Sequence, residues 1–265
     1  MELVILCGGK GSRLAEETIS KPKPLVEIGG KPILWHIMKL YSFYGVKRFI
    51  LTLGYKGYMI KEYFFNYKMI GPDFELSFKE DTQINYLNSV EENDWEIVFV
   101  DTGEDTLKGG RIKKIEDYVR NDTFYLTYGD GIADLNVGAL TKFHRSHNSL
   151  GTVTAVRPPS RFGELNIDDD DNVITLEEKP QMGKGLINGG FFVFHKKLFS
   201  YLEDDISCDF EFGPLQKISK AGELKAFKHS GFWQCMDNVR ERDYLNELEN
   251  NNKAPWMVWD NEKDI

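Results

Sequence analysis

The 265-residue sequence has little of several things that mark specialised classes of protein. It holds three cysteines, Cys7, Cys208 and Cys235, widely spaced and without a C-x-x-C pair. That argues against a disulfide framework and a cysteine-based zinc site, and makes a reducing cytoplasm the expected compartment. No run of 18 apolar residues occurs, so no transmembrane helix is expected. The first apolar run follows Met1 and Glu2 directly, without a basic n-region and cleavage site, so no signal peptide is read. Cations are outnumbered: 33 Lys and Arg face 42 Asp and Glu, a formal net charge of -9. That excess argues against non-specific binding to nucleic acid or an anionic membrane. Neither ligand spacing nor a Ser/His/Asp order links His36, His144, His147, His195 and His229, so they read as packing or surface residues. No repeat, low-complexity tract or linker is visible.

What is present starts at the N-terminus. Leu3-Val4-Ile5-Leu6 is an apolar run that stops at Cys7-Gly8-Gly9-Lys10-Gly11-Ser12-Arg13-Leu14. It reads as a strand buried on both faces that enters a tight loop. Three glycines in four positions allow backbone to approach a ligand, and their N–H groups can point at an anion. Arg13 adds a planar, permanently charged fork suited to phosphate oxygens. Lys23, held within Lys21-Pro22-Lys23-Pro24, adds a point charge on restricted backbone. The expectation is a phosphate cradle. A Walker loop is excluded because Gly11 is followed by Ser12 and Arg13, and the dinucleotide fingerprint fails at Leu14, where its third glycine belongs.

Further along, a helix from Pro32 stopping at Gly45, a buried strand Arg48–Leu53 and a helix over 58–67 continue a β-α-β-α order. This is the pattern of a parallel sheet covered by helices. Phe74 to Phe78 alternates as a half-exposed strand, and 79–94 reads as an excursion, either an arm, a subunit contact or a solvated loop. Strands are expected over 96–100, 124–128 and 152–156. A helix over 111–119, starting after Gly109-Gly110, would put Arg111 at an anion-attracting N-terminus. A helix over 135–147 is entered near Asn136. From Pro158 the texture becomes β-rich, with a hairpin over 162–180, the run Leu186 to Phe194, a short helix over 214–220, strands over 224–227 and 232–236, and a last helix over 240–250. The tail Pro255-Trp256-Met257-Val258-Trp259 is apolar enough to dock back onto the fold. Asp130 in Gly129-Asp130-Gly131 and Asp237 after Phe232 to Met236 each end an apolar segment, where open sheets collect chemistry. The plainer readings are a turn carboxylate for Asp130 and a helix cap for Asp237.

The glycine loop, Arg13 and the Lys-Pro-Lys-Pro run together resemble the signature of the sugar-1-phosphate nucleotidylyltransferases. The segments Trp35-His36-Ile37-Met38-Lys39, Gly54-Tyr55-Lys56-Gly57, Tyr128-Gly129-Asp130-Gly131 and Asn188-Gly189-Gly190-Phe191-Phe192 carry the likeness along nearly the whole chain. The region around Thr102-Gly103, Thr106 and Gly109-Gly110-Arg111 is most similar to the glucose-1-phosphate cytidylyltransferase branch. The resemblance implies a Rossmann-like α/β fold: a mixed, mainly parallel sheet flanked by helices, with a smaller β-rich sugar-binding part. It implies one nucleotidyltransferase domain over 1–265, with 1–157 mainly the nucleotide half, 158–240 mainly the sugar-phosphate half, and 241–265 a C-terminal helix and tail. It implies condensation of CTP with α-D-glucose 1-phosphate to CDP-glucose and pyrophosphate, feeding deoxysugar and surface-polysaccharide synthesis.

By the same resemblance, nucleotide contacts fall on Leu6, Cys7, Gly8, Gly9, Lys10, Gly11, Ser12, Arg13, Lys23, Thr106, Arg111 and Gly129. Sugar-phosphate contacts fall on Gly163, Glu178, Lys179, Asn188, Gly189 and Gly190. Asp130 and Asp237 hold Mg²⁺, and Arg13, Lys23, Asp130 and Lys179 are the catalytic set. Thr102, Gly103 and Thr106 are expected to read base or ribose. Cys7 stands where the family carries a smaller residue, which makes oxidation sensitivity an expectation. A homo-oligomer is implied, with 68–95 as a candidate contact. The competing readings are the same chemistry on another sugar 1-phosphate or with dTTP or UTP, and a non-catalytic nucleotide or sugar-phosphate sensor.

Overall fold

The computed structural model describes residues 1–78, 83–88, 92, 94–158, 164–168, 172–177 and 185–260. A seven-stranded sheet orders them. Its strands, in spatial order, are Leu224–Lys228, Gly151–Val156, Ile187–His195, Thr123–Tyr128, Leu3–Leu6, Arg48–Leu53 and Glu96–Asp101. Four of the pairings are parallel. The two made by Ile187–His195 are antiparallel. The mixed, mainly parallel sheet is therefore the one anticipated, and its central strand is the first in the chain.

Leu3–Leu6 alternates between the two faces. Leu3 and Ile5 join the core beneath helix Ile33–Phe43, whose apolar spacing supplies Leu34, Ile37, Met38 and Tyr41. Val4 joins the opposite core with Phe124, Leu126, Phe192, Phe194, Phe199 and Phe210. A strand buried on both sides has no polar face to offer, which is why the run is apolar throughout. The tail docks as anticipated: Trp256 and Trp259 pack edge-on against His36 and Trp35. Buried His36 donates from Nε2 to the Ile28 carbonyl and accepts the Trp256 indole N–H on Nδ1, so it serves packing, as its lack of ligand spacing suggested. Burial pulls its pKa down to about 4.

The direction of each strand decides where a site can form. The six strands that run the same way end at one edge of the sheet, at Leu6, Leu53, Asp101, Tyr128, Val156 and Lys228. Strand Ile187–His195 runs the other way, so its first residues, Asn188-Gly189-Gly190, reach the same edge. Ligands gather at this edge in open α/β sheets because loops diverge there and leave a crevice.

Two expectations change. The helix placed after Gly109-Gly110 begins earlier, at Lys108, and takes both glycines inside Lys108–Lys113. The segment around Asp205–Cys208 crosses it so closely that a Cβ at Gly109 would meet Cys208 Sγ at 2.6 Å, and one at Gly110 the Asp205 carbonyl at 2.4 Å. Arg111 thus lies in the helix, buried, and not at its N-terminus. The excursion after Phe74 is in part a hairpin, Phe74–Ser77 against Gln83–Tyr86. The later hairpin is also formed, Glu164–Ile167 against Val173–Glu177.

Candidate active site

At the carboxyl edge of the sheet lies a cavity of about 670 Å³. Every expected nucleotide residue lines it: Leu6 through Arg13, Lys23, Thr106, Arg111 and Gly129. So do Asp130, Asp237 and the turn Asn188-Gly189-Gly190. Gly163, Glu178 and Lys179 lie outside the described residues.

The loop's glycines serve different ends. Gly11 has φ +63, and a Cβ there would meet Thr18 Cγ2 at 2.8 Å, so it is glycine for its own turn. Gly8 gives way to the Arg111 guanidinium, whose Nη1 would stand 2.1 Å from an added Cβ. Only Gly9 faces open space. The loop N–H groups of Gly9, Lys10 and Gly11 donate to no protein acceptor among the described residues, which leaves them for an anion in the cavity.

The acidic centre joins three distant segments. Lys23 Nζ donates to Asp130 Oδ2 at 2.7 Å and to Asp237 Oδ1 at 2.6 Å. Arg13 Nη1 reaches Asp237 Oδ2 at 2.8 Å. Burial by itself would lower the Lys23 pKa, but the two carboxylates outweigh it and raise the ammonium's pKa. Asp130 is placed by the end of strand Thr123–Tyr128, and Asp237 by strand Trp233–Cys235, which pairs with Gly131–Ala133. The cap of the last helix is Asn238, whose side chain accepts from Glu241 N, so Asp237 is free of the capping role. Two carboxylates converging on one cation fit a hard divalent ion: the Lys23 ammonium shows that both oxygens reach a shared positive charge.

Arg111 behaves differently from the anion contact foreseen for it. Its guanidinium donates to the carbonyls of Leu53, Gly103, Gly8 and Glu104 at 2.7–3.1 Å and to Thr102 Oγ1 at 2.6 Å. Thr102 in turn donates to the Leu53 carbonyl, and Thr106 to the Thr102 carbonyl, each at 2.6 Å. Their hydroxyls are spent on the scaffold and leave no free hydrogen to read a base. Arg111 ties the glycine loop to the two neighbouring strand ends. Lys10, at the cavity mouth, meets Asp105 Oδ1 at 2.8 Å. Cys7 is buried, and burial, first among the causes, drives its thiol well above the ordinary range. A thiol held protonated is a poor target for oxidants, so the expected sensitivity is not supported.

Residues to which the sequence reading gave no role also line the wall, among them Asp105, Lys108, Tyr128, Asp209 and Trp233. Lys108 and Tyr128 sit directly beside Gly109-Gly110 and Gly129-Asp130, and that adjacency was the available signal. Trp233 Nε1 donates to the Gly189 carbonyl at 2.8 Å and so supports the glycine turn from the far side. Nothing in the sequence marks Asp209.

Among the described residues no helix is long and apolar enough to cross a membrane. A nucleotidyl transferase family profile matches residues 2–234. The glucose-1-phosphate cytidylyltransferase of Salmonella typhi is 48% identical over 261 residues, covering 98% of this chain and 100% of that protein. The D-glycero-alpha-D-manno-heptose 1-phosphate guanylyltransferase of Campylobacter jejuni is 34% identical over 200 residues, 76% of this chain and 78% of its own length. The crystal structure of HddC from Yersinia pseudotuberculosis is similar at a TM-score of 0.67 and 27% identity, over 94% of this chain and 99% of that one. With its glycine loop, Lys23 and Asp130 all inside the matched region, this chain belongs to the nucleotidyl transferase family.

Proposed function

We propose that the protein condenses CTP with α-D-glucose 1-phosphate to CDP-glucose and pyrophosphate. The observation that carries the chemistry is the convergence of Asp130 and Asp237 on the Lys23 ammonium beside a glycine loop with open N–H groups. The likeness to the Salmonella enzyme supports the choice of base and sugar. An oxygen of the sugar phosphate attacks the nucleotide α-phosphorus, and the bond to the bridging oxygen of the β-phosphate breaks. Two anions must meet, so alignment and charge neutralisation supply most of the rate. The Gly9–Gly11 amides and Arg13 take the triphosphate oxygens. Lys23 neutralises charge between the reactants. Asn188-Gly189-Gly190 and, by resemblance, Gly163, Glu178 and Lys179 receive the sugar phosphate. Asp130 and Asp237 would hold Mg²⁺, which supplies positive charge to both phosphates when bound.

A pyrophosphate-release assay crossing CTP, dTTP, UTP and GTP with several sugar 1-phosphates tests this reading. CTP with glucose 1-phosphate is expected to give the highest kcat/KM. A preference for dTTP or UTP rejects the base assignment and keeps the reaction class; tight CTP binding without pyrophosphate release favours the sensor.

We further place the enzyme in the cytoplasm, with its product feeding deoxysugar and surface-polysaccharide synthesis, and read it as a homo-oligomer. The exposed apolar side chains Phe65, Ile70, Leu76, Phe78 and Leu87, grouped in 65–87, support the last point. Light scattering on the purified protein tests it, and a strict monomer would reject it.

A further inference from the structure

Behind the sugar side of the cavity stands a carboxylate that the reaction above does not use. Glu211 opens a π-helical turn, Glu211–Leu215, with Pro214 inside it. Such turns are rare and occur frequently at functional sites. Glu211 Oε1 accepts from the Tyr128 hydroxyl at 2.6 Å and pairs with Lys108 Nζ. The Tyr128 oxygen accepts from Asn188 Nδ2 at 3.1 Å. Asn188 Oδ1 accepts from the Gly190 N–H at 2.9 Å. Gly190, at φ +81, lies so close to the Tyr128 ring that a Cβ would stand 2.6 Å from Cδ2. Tyr128, Lys108 and Asn188 line the cavity, whereas Glu211 is set behind them.

The other oxygen, Glu211 Oε2, is buried and has no partner among the described residues. A half-satisfied carboxylate costs stability, and its pair with the half-exposed Lys108 returns little, so stability alone does not account for a glutamate here. The account lies in direction. An ionised carboxylate only accepts. It obliges the Tyr128 hydroxyl to donate to it, so the phenol oxygen must accept from the Asn188 amide nitrogen. The amide oxygen is then turned toward Gly190. Without that acceptor the Tyr128 proton can point at Asn188, the amide can flip, and Gly190 N–H loses its partner.

We propose that Glu211 is a positioning residue for the sugar phosphate, acting through Tyr128 to hold the Asn188-Gly189-Gly190 turn in its receiving shape. The proposal rests on the reaction read above. Steady-state pyrophosphate release tests it in the full chain with Glu211→Met, Glu211→Gln, Tyr128→Phe and the double variant Glu211→Met/Tyr128→Phe. Glu211→Met is expected to raise KM for glucose 1-phosphate roughly tenfold, the size of one charge-assisted hydrogen bond. KM for CTP and kcat should stay within about twofold, because the nucleotide contacts are untouched. Tyr128→Phe should match it, and the double variant should be no worse than either single, since both remove one path. Glu211→Gln keeps an acceptor but loses the fixed direction, and should fall between, at about threefold. Multiplying effects in the double variant, or a parallel rise in KM for CTP, overturns the proposal. Should Glu211→Met melt below assay temperature, Glu211→Gln decides: an unmoved KM for glucose 1-phosphate overturns it. If the parent prefers another substrate pair, the reaction reading fails, and the same ratios taken with that pair decide the inference.

Discussion

The central strand Leu3–Leu6 has a charged cluster at each end, and the two are built on opposite plans. At the amino end, Glu2 is fully buried. Its Oε1 accepts from the N–H groups of Arg120 and Asn121 at 2.7 and 2.9 Å, and its Oε2 from Arg48 at 2.6 Å. Burial would raise its pKa, but the amides of Asn121 and Arg120 and the Arg48 charge together outweigh that and hold it below the ordinary glutamate value. Both oxygens are satisfied and the cluster is closed. At the carboxyl end, Lys23, Arg13, Asp130 and Asp237 pair in a similar way but face a cavity of about 670 Å³. A closed cluster can only hold strands together. An open one can exchange partners, which is what binding requires. Burial and pairing alone therefore do not mark a functional charge; access does.

The sharpest separation of the two ends should come from Asp130→Asn. It is expected to lower turnover on the order of 10³-fold, equivalent to about 4 kcal/mol of transition-state stabilisation. CTP affinity, followed by calorimetry, should change far less, and the melting temperature should not fall. Equal turnover in variant and parent would remove the metal-holding role. Next is Arg111→Met, which strips the hydrogen from several buried carbonyls and should cost about 3 kcal/mol in urea unfolding. A loss of CTP binding with no loss of stability would instead return Arg111 to the role of direct ligand contact.

Glu2→Gln should cost about 2 kcal/mol and leave kcat/KM of the folded enzyme near the parent value. Its pH signature has a definite sign. A carboxyl whose folded pKa is depressed stabilises the fold above its unfolded pKa, and that contribution is lost as pH falls through the folded value. Parent stability should therefore drop on acidification below about pH 4.3, the unfolded glutamate value, and the variant should show a flatter curve there. An unchanged curve would mean that the Glu2 cluster is not the source. The smallest effect belongs to Cys7→Ala. With its thiol buried and held protonated, the substitution should leave turnover within about twofold. Rapid alkylation of Cys7 in the native protein would contradict that geometry.

Much of the fold was legible because each element announces itself locally. The buried strands are continuous apolar runs, helix Ile33–Phe43 has apolar residues at helical spacing, and Asn136 caps its helix by accepting from Ala139 N, as its residue type suggests. The candidate site was legible where motif and backbone coincide, as at Gly8–Arg13 and Gly129-Asp130. Other motif residues line the cavity and also serve the scaffold. Arg111 and Thr106 have the types that bind nucleotides; Thr106 donates to the Thr102 carbonyl one turn back, and Arg111 donates to carbonyls near it at Gly103 and Glu104 and to the distant ones of Leu53 and Gly8. The contact of Tyr128 with Glu211 went unseen because it bridges 83 residues, although Tyr128 itself stands in the Tyr128-Gly129-Asp130-Gly131 segment.

The chain alone determined its local order: which stretches are strands, which are helices, and where glycine allows a tight bend. These follow from interactions within a few residues, and composition records them. Only the tertiary structure decided that Lys23 meets Asp130 and Asp237, partners 107 and 214 residues away. The physical reason is strand direction. Parallel Leu3–Leu6 and Thr123–Tyr128 end at the same edge, so the segments after them meet there, and the pairing of Trp233–Cys235 with Gly131–Ala133 brings Asp237 alongside; no local pattern encodes that meeting.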